Sequence, residues 1–219
     1  MKKIIILGGG GFAGEVLDTI EYINKNTEEK ILPLGYIYDG AAKDKGKLIY
    51  DLPVLGELSY LGNVDLGEVS MVAGIGRPVW RRKIVEETKK MGGKFISIIH
   101  PTAIINKWAK IGEGAIIQRL CNVQRDVVIG DFFCCNAFVG IGHGTLIGDY
   151  VQINPQVVVT GGAVIGSDVF LGVRATILKA RIGDRSVVGA CALITKDMPQ
   201  NMMAKGIPAK YYEMDEKKY

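Results

Sequence analysis

The sequence predicts a two-part chain of 219 residues: a small α/β unit of parallel strands over residues 1–99, then a parallel β-solenoid over residues 100–219. Two observations carry this expectation. Ile-Gly followed by Glu, Asp or Ser recurs at Ile111, Ile129, Ile147 and Ile165 at a constant interval of three hexapeptides, and again at Ile182, where the interval is one residue short. Ahead of that array, an apolar run, a glycine cluster and an amphipathic stretch stand in the order strand, turn, helix.

In the first unit, "KIIILGGGGFAGEVLDTIEYI" supplies the first strand, the turn and the helix, and Gly9, Gly11 and Gly14 have GxGxxG spacing. A second strand, "LPLGYIYD", ends in Asp39. A third, "VSMVAGIG", precedes the helix "RPVWRRKIVEETKKMG", and "KFISIIHP" leads into the repeat. This is a small Rossmann-like sheet without the second βαβαβ half of a complete dinucleotide fold. The glycine turn has two readings. It is a tight structural turn, or it is an anion site where free N–H groups and the helix dipole converge. The residues alone leave both open.

In the second unit, stepping by six from Ile105 meets Ile111, Ile117, Val123, Ile129, Cys135, Ile141, Ile147, Ile153, Val159, Ile165, Leu171 and Ile177, with no polar residue at any step. A second set four positions after each, from Ala109 through Cys121, Phe133, Thr145 and Val157 to Ala175, is small or apolar. Both sets must point inward. A helix needs recurrence near 3.6 residues and a hairpin sheet needs reversing turns, so neither explains a period of six. Three short strands per coil give a triangular prism, with glycines expected at corners where positive φ costs them little. One deletion before Ile182 resets the phase, and Val188 and Ile194 continue it.

Composition removes several classes. With 48% hydrophobic and 23% charged residues the chain can bury a core and reads as globular. The apolar run after "MKK" is too short for a signal-peptide core or membrane span, so a cytoplasmic location is expected. A net charge of +4 without basic runs interleaved with aromatics argues against nucleic acid. Cys121, Cys134, Cys135 and Cys191 form no CxxC pair, which points to buried thiols rather than disulfides or zinc.

Residues 100 to 210 resemble the hexapeptide acyltransferases, and "GIPAKYY" resembles that family's closing segment. Joined to the α/β unit, the whole chain is similar to nucleotide-sugar N-acyltransferases of the bacillosamine and perosamine type and their sialic-acid O-acetyltransferase relatives. The resemblance implies a left-handed β-helix. It further implies an acetyl-CoA or other short acyl-CoA donor, a nucleotide-linked amino sugar as acceptor, and a homotrimer with sites between subunits. The nucleotide-sugar positions match Gly10, Gly11 and Phe12, then Tyr38 and Asp39, then Gly76 and Arg77. The family's usual histidine in the loop is Phe12 here. Its solenoid base matches His143, with Asn136 seven positions earlier. The pantetheine groove would be lined by Gln152, Val173 and Ala190.

His143 lies two positions after inward Ile141 and two before inward Thr145, so its ring is expected to face outward. An outward imidazole suits removal of a proton from an attacking amine at neutral pH. The family's acid after the base is replaced by Gly144, which leaves Asp126, Asp131 and Asp149 as acids in nearby repeats. His100, at the domain junction, reads as structural. A covalent acyl-cysteine is disfavoured because Cys121 and Cys135 fall on core positions. From Arg174 to Lys210, seven basic residues face two acids, which suits the phosphates of coenzyme A, with Lys205 and Lys210 among the candidates. A zinc carbonic anhydrase would need three imidazoles, and the chain has two histidines. A sugar O-acetyltransferase and a non-catalytic nucleotide-sugar scaffold remain as alternatives.

Overall fold

The computed structural model describes residues 1–214, which divide into one compact unit, Met1–His100, and a second from Pro101 onward. In the first unit β1 (Lys2–Leu7) is central, with β2 (Ile31–Ile37) on one side and β5 (Val69–Ala73) on the other, all parallel. The antiparallel pair β3 (Leu48–Ile49) and β4 (Leu52–Gly56) extends the sheet beyond β2, and β6 (Lys94–Phe95) extends it beyond β5. Ile4, Ile5, Ile6 and Leu7 are all enclosed because both faces of a central parallel strand are covered.

Helix α1 (Gly11–Asn26) buries Ala13, Val16, Leu17, Ile20 and Ile23, the stripe that a helical period places on one side. It stops at Thr27, whose N–H and hydroxyl both donate to the Ile23 carbonyl. Helix α2 (Pro78–Lys90) starts on Pro78, which lacks the N–H that a first turn leaves unpaired, and ends in Lys89 and Lys90 before Gly92 at φ +90°.

The second unit is the expected triangular prism. Its first face stacks Ile104–Ile105, Asn122–Val123, Gly140–Ile141, Val158–Val159, Thr176–Ile177 and Leu193–Ile194. The second stacks Lys110–Ile111, Val128–Ile129, Leu146–Ile147, Val164–Ile165 and Arg181–Ile182. The third runs from Ile116–Ile117 through Cys134–Cys135, Gln152–Ile153, Phe170–Leu171 and Val187–Val188 to Met202–Lys205, closed by the antiparallel strand Lys210–Glu213. Adjacent coils pair in parallel, each residue with its counterpart one full turn later, as in Ile129 with Ile147. The two inward sets are buried from Ile117 to Ile177. Ile105, Ala109 and Ile111, in the first coil, are half-buried because no full coil lies beneath them.

The corner glycines serve a different purpose from the one expected. Left-handed φ recurs at every sixth position, but mostly on other residues: Leu120, Asp126, Phe132, Phe138, Tyr150, Gln156, Asp168 and Arg174, with glycine at 114, 144 and 162. The glycines of the Ile-Gly pairs are absent from that column. A Cβ on Gly130 would lie 2.8 Å from the Gly148 carbonyl carbon, and one on Gly148 2.8 Å from that of Gly166. They are glycine because the next coil lies against them.

Candidate functional site

In the first unit the loops after β1, β2 and β5 meet at the carboxyl ends of the strands, where ligands of open α/β sheets bind. A Cβ on Gly9 would lie 2.5 Å from the Tyr38 ring, so the absence of a side chain there seats the tyrosine. Gly8 and Gly74 are pressed together in the same way, and a Cβ on Gly76 would lie 3.9 Å from that of Phe12. Gly10 caps α1 without a side-chain hydrogen bond. Gly10 and Gly11 face open space, and no acid stands in the first turn, so the leading N–H groups are available to an anion.

The Tyr38 hydroxyl donates to Asp44 at 3.0 Å, and Lys47 lies 2.9 Å from the other carboxylate oxygen. The bonds from Lys47 and Tyr38 hold the Asp44 carboxyl below its ordinary range; desolvation and the bonded carboxylate push the Tyr38 phenol up. Asp39 and Arg77 are exposed, Arg77 as the cap of α2. Sequence reasoning missed Arg81, which is fully buried and donates to the Ile75 carbonyl at 2.7 Å, fixing the loop that carries Gly76 and Arg77.

In the second unit His143 stands at the prism edge between the first and second faces and is exposed, as its position between Ile141 and Thr145 requires. Three contacts hold it. Its N–H donates to Gln124 Oε1 at 3.1 Å in the coil below, and its carbonyl accepts from Gly162 at 2.9 Å in the coil above. Its ring lies over Gly161, where a Cβ would sit 2.7 Å from both Cε1 and Nε2. Beside it opens a pocket of about 310 Å³ lined by Ile104, Asn106, Asn122, Val123, Gln124, Arg125 and His143. Asn106, Asn122, Gln124 and Arg125 offer hydrogen-bonding groups around apolar Ile104 and Val123.

The acids sort by corner. Asp131 and Asp149 lie on the edge after the second face, where Asp131 accepts from Glu113 N–H and Asp149 from Asp131 N–H, at 2.9 and 2.8 Å. They tie coil to coil and stand away from the imidazole. Asp126 is on the His143 edge, one coil below Gly144 in the left-handed column, and pairs with Arg125 at 3.5 Å. Gly144 itself has φ +64° and open space around it.

Asn136 and His143 are not brought together within one chain. Asn136 sits on the edge between the third and first faces, where its Oδ1 accepts from Gln152 Nε2 at 2.8 Å. Gln152 is 1% exposed, so it braces Asn136 instead of lining an open groove; Val173 and Ala190 are the exposed members of that edge. Cys121 and Cys135 are core residues with their sulfurs 3.6 Å apart. Burial pushes the Cys135 thiol well up, which is poor preparation for a nucleophile. Lys205 and Lys210 are direct partners in the closing hairpin, two like charges set side by side on an exposed rim. His100 is 6% exposed and packs its ring 4.4 Å from that of Tyr22, in keeping with a structural part. Gln124, Arg125 and Gly161 were missed, although stepping coil by coil from His143 reaches two of them, and Lys179, counted among the basic residues of the last coils, falls on the same steps.

Residues 3–88 match the family described as PglD N-terminal domain. UDP-N-acetylbacillosamine N-acetyltransferase of Bacillus subtilis (strain 168) is 32% identical over 122 residues, 54% of this chain and 52% of that protein, so the chain spans about half the length of this curated relative. The acetyltransferase domain of PglB from Neisseria gonorrhoeae FA1090, solved with acetyl coenzyme A, superposes with TM-score 0.86 at 26% identity, covering 96% of this chain and 99% of that one. Perosamine N-acetyltransferase from Caulobacter crescentus, solved with CoA and GDP-perosamine, has the same fold at TM-score 0.85 and 24% identity, covering 96% of each chain. The architecture is thus a small α/β unit followed by a left-handed β-helix. No helix among the described residues is long and apolar enough to cross a membrane.

Proposed function

We propose that this chain, which is of the bacillosamine/perosamine acetyltransferase type, moves an acetyl or other short acyl group from a coenzyme A thioester to the amino group of a nucleotide-linked amino sugar. The observation that carries this reading is His143, exposed at the rim of a pocket of about 310 Å³, its backbone held by the coils above and below and its imidazole resting on Gly161.

The chemistry asks little of the protein. The amine nitrogen attacks the thioester carbon, the new C–N bond forms, the C–S bond breaks, and the electron pair leaves on sulfur. The amine's proton passes to the ring nitrogen of His143, a transfer usually worth about 10²- to 10⁴-fold in rate. A backbone N–H group of the prism edge would receive the carbonyl oxygen as it gains charge. Gly10, Gly11, Phe12, Tyr38, Asp39, Gly76 and Arg77 would hold the nucleotide end, with the phosphates at the bare start of α1. Val173 and Ala190 would flank the pantetheine arm, and the Lys205–Lys210 pair would meet phosphate, which relieves their mutual repulsion.

The reading includes a homotrimer. His143 and the Asn136–Gln152 pair occupy different edges of one prism, so a site using both needs the edge of a neighbouring copy, and a three-fold ring closes. The test is coenzyme A release from acetyl-CoA against a panel of UDP-, dTDP- and GDP-linked amino sugars. Release with at least one amino sugar, and none with its hydroxyl analogue, is expected; no release with any member would overturn the reading.

A further inference from the structure

The first shortened step of the repeat, from Ile165 to Ile182, falls on the edge that carries His143. Corner tips on this edge, one coil apart, are Arg125, His143, Gly161 and Lys179. The lower coils follow the tip with a left-handed residue, Asp126, Gly144 or Gly162. Above them that residue is missing: Lys179 runs directly into inward-facing Ala180, which is 4% exposed.

The coil between is the one on this edge with two glycines at its tip, and both are covered. The imidazole of His143 rests on Gly161 from below. The stem of Lys179 rests on Gly162 from above, where a Cβ would lie 3.4 Å from Cε and 3.7 Å from Cγ. Lys179 N–H is fixed by Thr160 Oγ1 at 2.9 Å. The two side chains therefore converge on adjacent residues that have no side chains to separate them. Their charges differ in a useful way. Arg125 is countered by Asp126, whereas the exposed Lys179 ammonium has no carboxylate within ion-pair distance among the described residues.

We propose that Lys179 is a further residue of the acyl-transfer site, its ammonium facing the thioester and stabilising the negative charge that collects on sulfur as the C–S bond breaks. This rests on the acyl-transfer reading above. The reacting carbon must lie close to the base, so a lysine whose stem rests one residue from the imidazole's support has that bond within reach of its ammonium. The phosphates of coenzyme A lie a full pantetheine arm from that sulfur, beyond a group held here. A cation brought to developing charge is an effective form of transition-state stabilisation once bound substrates exclude water from it.

Two variants separate charge from shape: Lys179→Met keeps the stem, and Lys179→Arg keeps the charge. The first readout is the ionisation of bound coenzyme A, followed by the ultraviolet absorbance of its thiolate across pH. The thiol bound to the unmodified protein should ionise at lower pH than free coenzyme A, and Lys179→Met should abolish that difference while Lys179→Arg preserves most of it. Turnover of Lys179→Met should fall about 10- to 100-fold with the KM for the nucleotide sugar unchanged. A Lys179→Met protein whose bound thiol titrates as before, or whose only defect is a raised KM for acetyl-CoA, would overturn the assignment in favour of a phosphate contact. Failure of the unmodified protein to bind coenzyme A would overturn the acyl-transfer reading itself, and this assignment with it.

Discussion

Tyr36 is fully enclosed on β2, and its hydroxyl has no hydrogen-bond partner among the described residues. Burial, reinforced by Tyr50, Asp18 and Glu21, pushes its phenol up to about 12. Because the folded value lies above the unfolded one near 10, the neutral ring stabilises the fold fully below pH 10, and that contribution is lost as pH rises toward 12. Tyr36→Phe should be neutral or stabilising at pH 7, since it removes an unpaired buried group, and should flatten the fall in melting temperature between pH 10 and 12. A marked loss of stability at pH 7 would mean that the hydroxyl has a partner. At the same scale, Gly144 occupies a left-handed position that Asp126 fills one coil below, so Gly144→Asp should fold at a cost of about 1–2 kcal/mol. A carboxylate beside His143 favours the imidazolium, so the acidic limb of the kcat profile should move to higher pH. An unmoved limb would show that the base is elsewhere.

At the level of the coil, the glycine next to each isoleucine carries the packing. Gly148→Ala must push against the Gly166 carbonyl carbon, 2.8 Å from the new methyl, and thermal unfolding should show a loss of several degrees. Gly161→Ala collides with the His143 ring instead, so its expected signature is lost turnover with nearly unchanged melting. This contrast marks what the sequence carried. The period of six is written a dozen times over, so face, inward sets and the outward turn of His143 were all legible in it. The role of the Ile-Gly glycines was not, because spacing between coils is set by neighbours a whole coil away and leaves the same residue as a tight turn would. The β3–β4 hairpin was also missed: its turn places Tyr50 and Asp51 at φ 47° and 60°, with none of the Asn-Gly chemistry that announces such turns. In the first unit, the glycine spacing located the loop but could not disclose that Gly9 seats Tyr38 or that Arg81 anchors the third loop.

For the whole molecule, the two units imply two separable sites. Gly11→Trp should weaken nucleotide-sugar binding and leave coenzyme A binding intact, whereas charge reversal at Lys205 and Lys210 should do the opposite in titration calorimetry; coupled loss would deny the division. A trimer with shared edges predicts complementation. If Asn136 and His143 meet only across subunits, a His143→Ala chain and an Asn136→Ala chain, each inactive alone, should regain a fraction of activity when refolded together. Light scattering should give a mass three times that of one chain. Full activity from a stable monomer would contradict the shared site. The central claim is that His143 takes the proton from the attacking amine, and the direct measurement is single-turnover acyl transfer by His143→Ala at saturating substrates. The account predicts a rate lower by about 10²- to 10⁴-fold with both dissociation constants and the melting temperature unchanged; a near-normal rate with the same pH dependence would contradict it, leaving the proton to the substrate or to another residue.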